Sequence, residues 1–304
     1  MKIQRKDLRP LMHNAMPGLL LMGVMLCSSL FPAQAFAGLI LDAELRFSYE
    51  DNVVGLLSDQ QQGRSGTGSG TSGGMITPAP GMGGMGGGQG KYTGTGSQSP
   101  SDFSATLSAE AGGYLDIMTN ASLYAKAFAE QTSYNTYTDF NATIGGLGTG
   151  ISARMGDIVS VRASLFGKIK RFGDSQRNST AYGGSLSLKE QLSPLFWVRE
   201  TATYEKNNAD TAPFSYNGTT IGVGAGFALT KKLLATLGYS YLIQQYDEPS
   251  GAEMKTGTAS IAVEQTFDRS WAVAGEYDLR ISKENVTGTS TTDNIFSLAL
   301  RYSY

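Results

Sequence analysis

The strongest constraint on this chain is the alternation of its last twelve residues, 293–304. One face of this segment is apolar except at its first position and carries Asn294, Phe296, Leu298, Leu300, Tyr302 and Tyr304. A period of two predicts a β-strand. A strand of this length whose apolar face ends in aromatic residues is typical of an outer-membrane barrel wall. We therefore interpret Tyr302 and Tyr304 as the terminal signal read by the barrel assembly machinery.

The N-terminal region has the pattern of an export signal. Four basic residues occur within the first nine positions, and an apolar stretch follows from Met16 to Leu26. That stretch is too short to span a bilayer comfortably. Small residues between Ala33 and Ala37 are spaced for signal peptidase. The sequence therefore predicts a signal peptide over 1–37, and Leu26 before Cys27 argues against lipidation.

The predicted mature chain has a narrow chemical repertoire. The only histidine of the full chain, His13, and its only cysteine, Cys27, both lie inside the predicted signal peptide. Their loss excludes disulfides, ordinary zinc sites and a histidine-based catalytic triad. We predict a protein that is not an enzyme and has no cofactor or metal. The formal net charge of −2 and the lack of basic runs also argue against nucleic-acid binding.

Alternating segments fill most of the region 38–304. The approximate predicted strands are 39–50, 103–115, 121–134, 138–154, 159–170, 180–190, 195–205, 216–229, 233–243, 254–267, 271–281 and 293–304. Short and longer connections alternate between them, as periplasmic turns and outer loops do in bacterial barrels. The pattern predicts an all-β fold, a transmembrane antiparallel up-and-down barrel of about 12 strands. Both termini are then periplasmic in a Gram-negative envelope.

One connection differs from the rest in composition. The centre of residues 51–102, from Gly63 to Gly96, contains long runs of Gly, Ser and Met with almost no charged or aliphatic side chains. Such a segment buries too little apolar surface to offset its ordering entropy. We predict a flexible outer loop between the first two strands.

The predicted inward face combines small residues with charges of both signs. The candidate lumen charges are Glu44, Arg46, Glu110, Lys126, Arg162, Lys168, Lys170, Arg199, Glu205, Glu276, Asp278, Arg280 and Arg301. Small side chains favour a water-filled lumen, whereas pairing of opposite charges favours a plugged one, and the sequence leaves both readings open. We interpret Lys168, Lys170 and Arg171 as a solvated strand end. Arg280 is expected to form ion pairs with Glu276 and Asp278, which share its strand face.

The end of the first strand carries the motif Tyr49-Glu50-Asp51-Asn52-Val53. It resembles the Tyr-x-Asp-Asn-Val segment of a loose family of outer-membrane β-barrel porins. The resemblance implies a porin-like channel for small hydrophilic solutes. The alternative is a structural or export component of a cell-envelope complex, such as a polysaccharide-export or electron-conduit barrel. The expected partners are outer-membrane lipid, lipopolysaccharide and the assembly machinery.

Processing of the N-terminus tests the targeting prediction. The mature protein should begin at Phe36 or Gly38, because the small-residue sites cluster there. N-terminal sequencing of the outer-membrane fraction measures this directly. An intact Met1 or a lipidated Cys27 would contradict the prediction.

Overall fold

A computed structural model describes residues 38–53, 101–286, 288 and 290–304. The predicted signal peptide and most of the predicted Gly-rich loop lie outside these residues. No helix among the described residues is long and apolar enough to cross a membrane.

The described residues form a closed barrel of twelve strands, as predicted. The strands are β1 Gly38–Glu50, β2 Asp102–Met118, β3 Ala121–Tyr134, β4 Ala142–Met155, β5 Val159–Phe172, β6 Ser179–Ser193, β7 Phe196–Ala209, β8 Tyr216–Ala228, β9 Leu233–Tyr246, β10 Glu253–Thr266, β11 Trp271–Glu284 and β12 Ser290–Ser303. Consecutive strands pair antiparallel, and β1 pairs with β12 to close the sheet.

The predicted start of the fourth strand is wrong, and several strands, such as the one predicted over 195–205, extend further than predicted. The predicted strand 138–154 begins instead at Ala142, because Thr138–Phe140 forms a 3₁₀ helix in the preceding loop. The alternation does extend back to Thr138, so periodicity alone gives no sign of this loop. The same loop design recurs after β5 and β7, with 3₁₀ helices at Ser175–Arg177 and Ala212–Phe214.

The exposed faces of the strands are apolar. Leu165 is 67% exposed and Val223 is 50% exposed, although both lie near the middle of their strands. Aromatic pairs flank this surface at both ends, with Tyr49 against Phe103 at the outer end. Trp271 against Tyr302 lies at the periplasmic end. An apolar surface of this extent requires lipid around it, and the flanking aromatics match the girdles of outer-membrane barrels.

Five short turns lie at the end of the barrel where β1 begins, at Gly38, and β12 ends, at Ser303. In the turn between β10 and β11, the Asp268 carboxylate accepts hydrogen bonds from the backbone N–H groups of Ser270 and Trp271, each at 2.8 Å. These bonds favour the charged form and lower the pKa of Asp268 below its ordinary value. Tight, capped turns of this kind are typical of the periplasmic end.

Arginine substitutions on the two faces of one strand test the assignment of inside and outside. Val223→Arg should lower the free energy of unfolding by about 2–4 kcal/mol, since it places a charge against lipid near mid-membrane. Thr220→Arg, on the inward face of the same strand, should cost much less. Urea titration of the protein in lipid vesicles measures both changes. Equal costs would contradict the assignment.

Candidate functional site: the barrel interior

The inward faces hold the charges predicted to line the lumen. Ten of them form ion pairs among the described residues: Glu44, Arg46, Glu110, Lys126, Lys168, Lys170, Glu205, Glu276, Arg280 and Arg301. Asp278 and Arg162 are also buried, whereas Arg199 is partly exposed. The interior is therefore divided into distinct charge groups, described in turn below.

The first group spans the closing strands, and we call it the seam network. Glu44 on β1 bonds Arg46 on the same strand and Arg301 on β12, both at 2.7 Å. Arg46 reaches across β12 to Glu276 on β11, and Arg301 reaches across β11 to Glu264 on β10, both at 2.5 Å. Three carboxylates and two guanidinium groups thus tie four strands together from the inside.

The second group lies in the outer half of the barrel. Lys168 and Lys170 share the carboxylate of Glu205, at 2.5 and 2.8 Å. The Tyr216 hydroxyl donates to the same carboxylate at 2.8 Å. Both lysines are almost fully buried, so the interpretation of this pair as a solvated strand end is wrong. Arg171, on the other face of β5, is exposed.

Two further pairs complete the paired charges. Lys126 on β3 bonds Glu110 on β2 at 2.7 Å. Arg280 lies 3.6 Å from Asp293 on β12. Of the two predicted partners of Arg280, Glu276 bonds Arg46, and the pairing with Asp278 stays a prediction. Cross-strand neighbours depend on register, which the alternation within one strand does not reveal.

Three outer loops direct one side chain each into the mouth. The Arg177 guanidinium lies over the Phe140 ring at 4.9 Å and over the Phe214 ring at 5.5 Å. All three side chains are buried and belong to the last residue of a 3₁₀ helix. We call this arrangement the mouth stack. It places an apolar and cationic layer across one side of the entrance.

Equivalent polar residues support the three loops. The residue after each 3₁₀ helix has a side-chain oxygen that accepts a hydrogen bond from a backbone N–H at the end of the preceding strand. Asn141 accepts from Tyr134 at 2.6 Å, and Asn178 accepts from Phe172 at 2.9 Å. Ser215 accepts from Ala209 at 2.9 Å. This repeated cap was missed by sequence reasoning. Its signal is a short polar residue immediately after a large residue in each loop.

The Tyr-x-Asp-Asn-Val motif fastens the first strand at this mouth. The Asp51 carboxylate accepts bonds from the backbone N–H and the side-chain amide of Asn294, at 2.7 and 2.6 Å. The Asn52 amide donates to the Thr292 carbonyl at 2.9 Å. Val53 is fully buried in a cluster with Tyr134 and Phe140. The motif therefore locks the outer end of the β1–β12 seam.

The outer half of the interior is densely filled. The largest fully buried side chains are Tyr216, Lys170, Ile144, Met254, Ile295, Gln244, Glu50, Val53, Thr256 and Ser152. All except Ser152 lie in the outer half of the barrel or at its mouth. Filling is therefore concentrated towards the cell exterior.

Aromatic side chains cover several inward-facing glycines. Trp197 lies across Gly226, where an added Cβ would approach the indole ring within 2.2 Å. The Tyr124 ring covers Gly150 and the Phe166 ring covers Gly183 in the same way. Glycine is required at these positions because an aromatic side chain of the neighbouring strand occupies the space that a Cβ would need. Their presence in the sequence therefore does not imply an empty lumen.

Metal chemistry has little support in the described part of the chain. No group of three or more histidine, cysteine, aspartate or glutamate side chains in it is arranged to hold a metal ion. The polar interior instead offers cations, carboxylates and hydroxyl groups to a solute.

Comparison with known proteins identifies similar structures but no sequence family. No protein-family model matches the chain, and no curated protein matches it. An outer membrane channel from Pseudomonas putida F1 is similar in structure, with a TM-score of 0.55 and 8% identity over 90% of this chain and 99% of that one. The NanC porin is also similar, with a TM-score of 0.50 and 10% identity over 86% of this chain and 98% of that one.

These likenesses concern the fold. Together with the closed barrel, the apolar outer surface and the short turns at one end, they define the class of this protein. It is an integral outer-membrane β-barrel.

Replacing Glu205 tests how much the second charge group stabilises the barrel. Glu205→Gln leaves Lys168 and Lys170 buried without their common counter-charge and should destabilise the barrel by about 3–5 kcal/mol. Asp247→Asn is the matched control, because it breaks the more exposed Lys206–Asp247 pair of 3.0 Å and should cost less than about 1 kcal/mol. Urea titration in vesicles compares the two variants. Similar costs would show that burial does not set the strength of these pairs.

Proposed function

We propose that this protein is a narrow porin-like channel for small hydrophilic solutes. The observation that carries the proposal is the charged and polar character of the interior of a closed barrel, from the periplasmic end to the mouth stack. Apolar side chains would fill a barrel interior at a lower free-energy cost, because a buried charge loses its hydration. A polar lining instead replaces part of the hydration shell of a passing solute.

The same interior limits what passes. Twelve strands give a diameter between that of filled eight-stranded barrels and that of wide porins. The mouth stack and the Glu205 group occupy the outer half, so the proposed path is narrowest there. Small polar or charged solutes are therefore the proposed cargo.

The proposed partners are those of an outer-membrane channel. Membrane lipid covers the exposed strand faces, and we propose lipopolysaccharide at the outer surface. Tyr302 and Tyr304 are proposed as the signal for the assembly machinery. We propose that the mature chain is not an enzyme. His13 and Cys27 both fall within the predicted signal peptide, so the mature chain would lack histidine and cysteine.

A structural or export role is the second candidate. The dense burial of the outer half favours it, because a plugged barrel can serve as a fixed component of an envelope complex. In an electron-conduit complex, any haem would belong to a partner protein. This role requires a folded barrel that conducts no ions.

Conductance in planar bilayers separates the two roles. The purified barrel should give stable current steps, and Phe214→Ala should raise the step size, because it removes one side of the mouth stack. Phe103→Ala, on the exposed lipid side, should leave the step size unchanged.

Heat-modifiable migration on gels verifies that each variant is folded. A folded wild type and a folded Phe214→Ala variant that both remain silent would exclude the channel and favour the structural role.

A further inference from the structure

A row of cations crosses the periplasmic half of the interior. Register pairs Ser160 on β5 with Lys189 on β6, and Lys189 with Arg199 on β7. Arg162 projects from the next inward position of β5, opposite Ser187. We call Arg162, Lys189 and Arg199 the basic row. Three cations on adjacent strands concentrate positive potential on one wall.

The basic row differs from the other interior charges in its partners. Within the described ranges, no carboxylate lies within ion-pairing distance of these three residues, whereas the interior cations Lys126, Lys168, Lys170, Arg46, Arg280 and Arg301 all have one. A buried cation without a counter-charge is costly unless a ligand supplies one.

Two guanidinium nitrogen atoms of the basic row lack a hydrogen-bond partner. Arg162 is only 6% exposed; its Nη2 donates to the Tyr114 hydroxyl at 2.9 Å, while its Nη1 is buried and has no hydrogen-bond partner. Nη2 of Arg199 is also buried and without a partner. Buried guanidinium N–H groups are almost always satisfied in proteins, and an anion is the acceptor with which a charged donor forms its strongest hydrogen bonds.

Trp197 orients the row. Its ring lies 5.1 Å from the Lys189 ammonium nitrogen and 4.9 Å from the Arg199 guanidinium carbon. The indole in turn packs on Gly226. These cation–π contacts hold two positive groups in place without neutralising them. The cations therefore stay available and pre-oriented, which lowers the entropy cost of binding.

The wall beside the row is lined by glycine. Arg199 pairs with Gly224 on β8, and Gly224 pairs with Gly238 on β9. A Cβ added at Gly224 would meet nothing closer than a backbone oxygen at 3.5 Å. In contrast to Gly226, Gly224 has no aromatic ring above it among the described residues. Gly224 borders the basic row directly.

We propose that the basic row and Trp197 form a binding site for a small solute that carries a phosphate or carboxylate group. Arg162 and Arg199 bind the anionic oxygens through their free N–H groups, and Lys189 adds charge beside them. The role of this site in transport rests on the proposed channel function. It makes the periplasmic half of the path selective for anions.

Tryptophan fluorescence tests binding independently of conduction. The chain has two tryptophans, and Trp271 packs against Tyr302 on the outer surface, so Trp271→Phe leaves Trp197 as the sole reporter. Titration of this detergent-solubilised variant with pyrophosphate and with citrate should give a saturable signal for at least one anion. The anion that binds more tightly distinguishes phosphate from carboxylate chemistry.

Variants assign that signal to the basic row. Arg199→Gln and Arg162→Gln, each made in this background, should weaken binding about tenfold or more, since each removes a charge-assisted hydrogen bond. Lys189→Gln provides a third variant should either arginine variant fail to fold. Lys231→Gln removes an exposed cation of a periplasmic turn and should not change affinity. No saturable signal from either anion, or equal affinity in the folded variants, would overturn the site.

Bilayer recordings separate this inference from the channel proposal. In a salt gradient the reversal potential of the wild type should indicate a preference for chloride, and Arg199→Gln should reduce that preference. Binding without conductance would remove the channel and keep the site. Conductance with neither binding nor a change in reversal potential would keep the channel and remove the site.

Discussion

Pairing of β1 with β12 is the interaction on which the rest of the structure depends. It joins the two ends of the chain, and without it each end strand would expose unpaired N–H and C=O groups to lipid, which the membrane does not tolerate. The seam network reinforces it from the inside, and Asp51 with Asn294 fastens it at the outer mouth. The motif that resembles porin sequences thus has a mechanical role in closing the barrel.

Closure creates an interior in which charges have unequal environments. In the outer half, Lys168 and Lys170 lose most of their hydration, and Glu205 compensates both. In the periplasmic half, Arg162 and Arg199 face glycine and serine positions and have no described carboxylate beside them. The outer group therefore stabilises the barrel, while the basic row remains free to attract a solute. The polar lining thus stabilises the barrel through the Glu205 group and the seam network and, on our proposal, provides selectivity along the basic row.

Several predicted features were recovered because they depend only on local pattern. Phe296, Leu298 and Leu300 alternate with small inward residues, so their exposure to lipid followed from a period of two. The loop before β4 was predicted too short, since its 3₁₀ helix continues the same alternation before Ala142. The interpretation of Lys168 and Lys170 as a solvated strand end was wrong for another reason. Their counter-charge, Glu205, lies two strands away, and only the barrel brings it near.

The sequence by itself determined the fold class, the strand number and which face of each strand meets lipid, because these follow from local alternation and from short and long connections. Only the tertiary structure decided which charges are paired. Arg46 meets Glu276 across an intervening strand, while Arg199 meets a glycine, and both outcomes depend on the register of strands that are distant in sequence. The state of each interior charge is therefore a property of the closed barrel, since closure and register together set its distance to the nearest opposite charge.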